Sequence, residues 1–155
     1  MKKILWVILV VNSVLFAEFI GLEGMVVDSK RNLMWQDTYA VDGMYGEDES
    51  LPNIEYSSWF ESIEYCKKLT LAGYSDWRQP TLKELNGLVE HDRVYPQIMI
   101  HPTFQFVASS ELTGYWTSTG RKHFPGLAMR VNFFDGKEYV GVKTVKFYTR
   151  CVRQK

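Results

Sequence analysis

Apolar residues recur with two different periods along this chain, and each change of period marks an element. Met25-Val26-Val27 and Leu33-Met34-Trp35 are short apolar runs separated by the turn residues Ser29 to Asn32. Runs of this kind joined by a turn read as a β-hairpin. Residues 37–55 are polar, acidic and glycine-containing, as in a surface loop. The period then becomes helical. Trp59, Ile63, Cys66 and Leu69 follow Ser58 and Glu61, which have capping-box spacing. Gly73 is placed to end that helix in a left-handed conformation. Thr81 with Glu84 is a second capping box, and Leu82, Leu85, Leu88 and Val89 form the apolar stripe of a short second helix. Residues 91–114 hold no sustained period, contain Pro96 and Pro102, and read as a long ordered loop anchored by Ile98, Phe104 and Phe106. Strand patterns return at Tyr115–Thr119, Leu127–Phe134, Tyr139–Lys143 and Phe147–Arg153, with Asp135-Gly136 as a hairpin turn. Val131 and Phe133 alternate with Arg130 and Asn132, as on a half-buried strand. The plan is α+β: a hairpin, two helices, a long loop and an antiparallel sheet.

The N-terminus reads differently from the rest. Met1-Lys2-Lys3 is a short basic start, and Ile4 to Phe16 is apolar apart from Asn12 and Ser13. That run is too short to span a bilayer and fits an export signal ending at Ala17, with residues 18–155 as the mature domain. Leu15 is bulky for the third position before such a cut, and an uncleaved anchor is the alternative. Export gives a meaning to Cys66 and Cys151. An even pair of cysteines in an exported chain reads as a disulfide, here tying the first helix to the last strand. The chain-entropy model gives such a bond roughly 4–5 kcal/mol. Free buried thiols are the alternative.

Charge changes the picture in one respect. Lys plus Arg and Asp plus Glu number 18 each, which argues against a nucleic-acid binder. The charges are segregated: residues 18–66 hold 11 acids and 2 bases, whereas residues 121–155 hold 9 bases and 2 acids. The two segments either pair or leave an acidic face and a basic face.

The chemistry-bearing motifs are few. There is no GxSxG, no HExxH and no phosphate-binding glycine loop, so we expect no enzyme and no cofactor. Glu90-His91-Asp92 would not converge from a helix end, and His91, His101 and His123 are too scattered to predict zinc. Glu47-Asp48-Glu49 reads as a solvated loop before it reads as a calcium site. The strongest binding candidate is GRKHFPG, residues 120–126. There Arg121, Lys122, His123 and Phe124 would sit in a loop between strands, with Lys137, Lys143 and Lys146 adding to one positive surface. Such a surface suits sulfated or uronic-acid polysaccharide; an ordinary basic turn is the alternative. Asp76-Trp77-Arg78 before Pro80 and Thr81 is either a ligand clamp or a joint. In the joint, Trp77 fills the core and Arg78 pairs with a carboxylate.

The stretches AGYSDWRQPTLKEL (72–85), TGYWTST (113–119, with Trp116) and RCVR (150–153) together resemble the Lcl C-terminal domain family. VVDSKRNLMWQD (26–37) and the Trp59–Leu69 segment with its cysteine match it as well, so the resemblance covers nearly all of residues 18–155. The resemblance implies a C-type-lectin-like fold with two helices on an antiparallel sheet and paired terminal strands. It also implies a disulfide from the first helix to the last strand, and makes Asp76, Trp77, Arg78, Pro80 and Trp116 a structural signature. Calcium-dependent lectins of that fold carry Glu-Pro-Asn or Gln-Pro-Asp in the long loop. Gln79-Pro80-Thr81 lies between the helices instead, and Trp116 is followed by Thr117 and Ser118, which lack carboxylates. We therefore expect no metal. The family commonly has Leu at the position of Gln79, and this chain lacks the collagen-like stalk of some family adhesins. The implied function is binding of a glycan or an envelope or surface protein, with oligomerisation left open as a source of avidity.

Overall fold

The computed structural model describes residues 17–38, 56–94, 96–108 and 110–155. Residues 1–16 of the stretch read as an export signal, and Glu47-Asp48-Glu49, lie outside the described residues.

Two sheets and two short helices make an α+β fold. The first sheet contains β1 (Phe19–Leu22), β2 (Met25–Asp28), β3 (Leu33–Gln36) and β9 (Val152–Gln154), in that order. All its pairings are antiparallel, so the C-terminal strand closes onto the N-terminal hairpin with Trp35 opposite Val152. Both central strands are buried along their whole length because both faces of the sheet are covered. Val26, Leu33 and Trp35 join a main core with Leu85, Leu88, Phe104, Tyr115, Val131 and Phe133. Met25, Val27 and Met34 point the other way, into a second core with Cys66, Trp77 and Cys151. This double coverage is why the hairpin sequence is continuously apolar instead of alternating.

The second sheet has the order β4-β8-β5-β6-β7, with β4 at Tyr56–Ser57, β5 at Tyr115–Arg121, β6 at Phe124–Asn132, β7 at Lys137–Val142 and β8 at Phe147–Tyr148. It is mixed, since β5 runs parallel to β8 through the pair Tyr115 and Tyr148. Helix α1 (Trp59–Lys68) and helix α2 (Leu82–Asn86) both begin with complete capping boxes, at Ser58/Glu61 and Thr81/Glu84. The Cys66–Cys151 disulfide joins α1 to the residue before β9 across a sequence separation of 85.

Three expectations change. Gly73 does not end α1. The helix stops at Lys68, and Leu69 caps it while extended, its N–H bonding to the Tyr65 and Cys66 carbonyls. Ala72 and Gly73, at φ 51° and 81°, instead form a tight turn between Leu71 and Tyr74. The segment Phe147–Arg153 is not one strand. It leaves the second sheet after Tyr148 and enters the first at Val152, burying Thr149, Arg150 and Cys151 in the crossing. Asn132 does not face solvent on β6; it is buried and its side-chain amide donates to the carbonyls of Ser110 and Glu111, pinning the long loop.

Candidate functional site

Residues 120–126 form a hairpin tip, not a loop. β5 continues to Arg121 and β6 starts at Phe124, so Lys122 and His123 alone make the turn. Gly120, Pro125 and Gly126 look like loop residues in the sequence, but the register shifts on either side of Gly120 absorb them as irregular strand. Arg121, Lys122, His123 and Phe124 are all exposed, Phe124 by 55%. Among the described residues no carboxylate lies within ion-pair distance of Arg121 or Lys122.

Lys143 joins this tip. Its backbone N–H donates to Gly126 at 2.9 Å, and its Nζ stands 3.8 Å from where a Cβ on Gly120 would be. Its ammonium lies over the Trp59 ring at 3.8 Å and is 5.7 Å from the Phe60 ring. The Trp59 ring is fixed by its Nε1–H donating to the Thr117 carbonyl at 2.8 Å, and its backbone N–H donates to the Lys143 carbonyl at 3.0 Å. Phe60 packs edge-on against Trp59 at 5.2 Å and is 56% exposed. Helical periodicity reads Trp59 as core and does not mark Phe60 at all. Lys146 is exposed near Glu61. The Glu61 carboxyl is held below its usual range, first by its hydrogen bond with Ser58, with Lys146 adding to the effect.

Lys137 does not belong to this surface. It opens β7 opposite Asn132, at the far end of the β6–β7 pair from Gly126 and Lys143. The length of β7 separates them, roughly 20 Å at about 3.3 Å per residue. Its Nζ lies 3.6 Å from Asp135. The antiparallel register, which sequence proximity does not convey, sends the start of β7 away from the tip.

Asp76 and Arg78 flank Trp77 but do not face one another. Asp76 accepts from Arg153 at 2.6 and 3.1 Å, while Arg78 donates to both oxygens of Glu84 at 2.9 and 2.6 Å. Partial burial opposes charge on Glu84, but hydrogen bonds from Arg78 and Thr81 outweigh it and hold the carboxyl down at about 2. Trp77 is buried in the second core with its Nε1–H on the Tyr74 carbonyl at 3.1 Å. The Pro80 carbonyl accepts from Ser118 at 2.8 Å, tying the approach to α2 to β5. Gln79 is buried against Ser62 of α1, which its amide contacts. Trp116 is fully buried, with its Nε1–H on the Ser57 carbonyl at 3.0 Å and its ring edge-on to Phe147 at 5.0 Å.

Arg150 is the polar centre of the molecule. It is 2% exposed, donates to Asp37 at 3.0 Å and to the Gln36 carbonyl at 2.6 Å, and reaches the Phe106 carbonyl. Asp37 in turn accepts from the backbone N–H groups of Gln105 and Phe106 at 2.9 and 3.2 Å. This pair fastens the long loop to the first sheet. RCVR was the signal, because a base beside a buried half-cystine requires a partner.

Among the described residues no group of three or more His, Cys, Asp or Glu side chains is arranged to hold a metal ion, and no helix is long and apolar enough to cross a membrane. No curated protein matches this chain. A model of the Lcl C-terminal domain matches residues 24–153, from the glycine just before β2 to the arginine that binds Asp76, and the chain belongs to that family.

Proposed function

We propose that this chain is an exported, non-catalytic binding domain of C-type-lectin-like fold that recognises glycan through the β5–β6 hairpin tip. One observation carries the reading. Arg121, Lys122, His123 and Phe124 are all exposed at one hairpin tip, and neither Arg121 nor Lys122 is neutralised by a carboxylate among the described residues. Bases next to an exposed aromatic ring suit an acidic polysaccharide, whose charge meets the bases and whose sugar C–H faces meet the ring. The fold reading rests on the two helices, the pairing of N- and C-terminal strands and the bond from α1 to the residue before β9. Export is supported by that same disulfide, which persists in oxidising compartments.

A second reading, a protein–protein module of the envelope, is favoured by a different surface. Val140 and Val142 are 42% and 50% exposed on β7, which is an edge strand. The test is binding of the oxidised protein to anionic and neutral polysaccharides, with calcium and with chelator, over a range of salt. Glycan recognition predicts anionic binding that ignores chelator and weakens as salt rises. Arg121→Ala with Lys122→Ala removes it while the melting temperature stays unchanged. Full binding by that double variant refutes the hairpin tip, and silence across all polysaccharides moves the reading to a protein partner at β7.

A further inference from the structure

We infer that Phe60, Trp59 and Lys143 form a second contact site, continuous with the hairpin tip, for a single acidic sugar residue of the bound chain. Phe60 would stack on the C–H face of the ring, and Lys143 would meet its carboxylate or sulfate. The inference rests on the glycan reading above and names a part of that surface which the sequence does not mark.

The site is built rather than incidental. Lys143 is fixed at both ends of its peptide unit, its N–H on Gly126 and its carbonyl receiving Trp59 N–H. Its ammonium is parked 3.8 Å above an indole that is itself anchored to Thr117. A lysine side chain loses considerable rotamer freedom on binding an anion, and here much of that loss is incurred before any ligand arrives. No carboxylate stands within ion-pair distance of Lys143 among the described residues. The nearest acid on the adjoining turn of α1, Glu61, is committed to the helix cap through Ser58.

Phe60 supplies the apolar half. Its neighbour Trp59 offers one ring to Lys143, whereas Phe60 turns edge-on to Trp59 and stays more than half exposed. One exposed phenyl ring is ordinary by itself; beside an ammonium with no carboxylate partner among the described residues it supplies the apolar face of a mixed contact. The occupant must be apolar on one face and anionic at one edge, because the ring and the ammonium are 5.7 Å apart. An acidic pyranose has that shape. Continuity with the tip follows from Gly120: Lys143 Nζ stands 3.8 Å from where its Cβ would be, beside the residue immediately before Arg121.

The test compares three hexasaccharides on the full, oxidised protein by titration calorimetry: hyaluronan, bearing carboxylates only; chondroitin sulfate, bearing both acids; and neutral chitin hexasaccharide. The variants are Phe60→Ala, Lys143→Met, Lys143→Arg and the hairpin-tip double variant, each checked for an unchanged melting temperature. We expect Phe60→Ala and Lys143→Met each to weaken binding of the acidic sugars by about fivefold or more, about 1 kcal/mol on the affinity scale. Lys143→Arg keeps the affinity, and Lys143→Met leaves any neutral-sugar binding unmoved. A larger loss on hyaluronan than on chondroitin sulfate assigns Lys143 to the carboxylate; the reverse assigns it to the sulfate. The Trp59 indole N–H resonance should shift on addition of acidic sugar and not of neutral sugar. If the tip variant loses binding while Phe60→Ala and Lys143→Met do not, this second site is overturned and the glycan reading stands. If the unaltered protein binds none of the acidic sugars, both fall.

Discussion

Asp37→Asn removes one charge from a buried pair and leaves the other behind. Arg150 is 2% exposed on its side chain and Asp37 5%, so neither charge is solvated by water. The guanidinium would keep its bonds to the Gln36 and Phe106 carbonyls but lose its counter-charge at 3.0 Å. The rings of Phe104 and Tyr115, 5.0 and 5.5 Å from the guanidinium carbon, offer only weak compensation. The new amide group also carries N–H donors towards the backbone N–H groups of Gln105 and Phe106, which now donate to the carboxylate. Breaking a buried pair from one side costs about 3–5 kcal/mol. A domain of this size has roughly 5–15 kcal/mol in total, so the variant should unfold at markedly lower denaturant. The assay is urea unfolding at neutral pH followed by tryptophan fluorescence, for Asp37→Asn, Arg150→Met and the double variant. The double variant should be less destabilised than the sum of the singles by about 1–3 kcal/mol, because it no longer buries an unpaired charge. A loss below about 1 kcal/mol for Asp37→Asn, or simple additivity, would refute the claim that this pair holds the long loop to the first sheet.

Three further outcomes are expected. Reducing the disulfide, or replacing Cys66 and Cys151 by Ala, should lower stability by roughly 4–5 kcal/mol and the melting temperature by about 10 °C or more; identical melts with and without reductant contradict the bond. Gly141→Ala should destabilise by about 1–3 kcal/mol or more, since its Cβ would lie 2.5 Å from Trp116 Cη2 and 3.1 Å from Phe147, which thermal melts will show. Glu84 has a folded-state pKa depressed from 4.5 to about 2, so its contribution is complete above about pH 4.5 and is lost as pH falls towards 2. Discounted for the exposure of Arg78, that contribution is about 1–2 kcal/mol, and Glu84→Gln should flatten the acid limb of the stability profile in this window.

What could be read from the sequence was what neighbouring residues decide. Both capping boxes, the Met25–Trp35 hairpin and the Asp135-Gly136 turn are set by contacts a few residues apart, and each forms. The cysteine pair was legible because the sequence has two cysteines, so a bond within the chain has one possible pairing. Elements of two to four residues were not legible. Among the described residues β4 and β8 pair with each other, and β8 with Tyr115, while β1 exists because it extends a hairpin already formed. Too few residues repeat in such strands to establish a period. The hairpin tip was misread because its Gly and Pro residues signal a loop unless a bulge is foreseen. Lys143 over Trp59 and Lys137 at the wrong end were both beyond reach for one reason: register across β6 and β7 decides them, and register is a property of the folded sheet.

The segregated charges are explained by neither simple alternative. The acidic N-terminal part and the basic C-terminal part do meet, but they meet as strands: β3 pairs with β9 through main-chain bonds, and among the described residues the ion pair that joins them is Asp37 with Arg150, with Lys146 acting on Glu61 at longer range. Glu18 and Asp28 are instead answered locally by Lys30 and Arg31. Near the C-terminus Arg153 is matched by Asp76, and Lys137 by Asp135. Arg121, Lys122 and Lys143 have no such partner among the described residues, and all three converge at the β5–β6 end of the second sheet. Arg78, Arg150 and Arg153 each have an acid beside them, and Arg130, which has none, is held by Tyr139, Phe147 and the Thr113 carbonyl. The first sheet, the disulfide and the buried arginine hold the chain together, and the glycan reading proposed above assigns the exposed bases at the far end of the second sheet to the ligand.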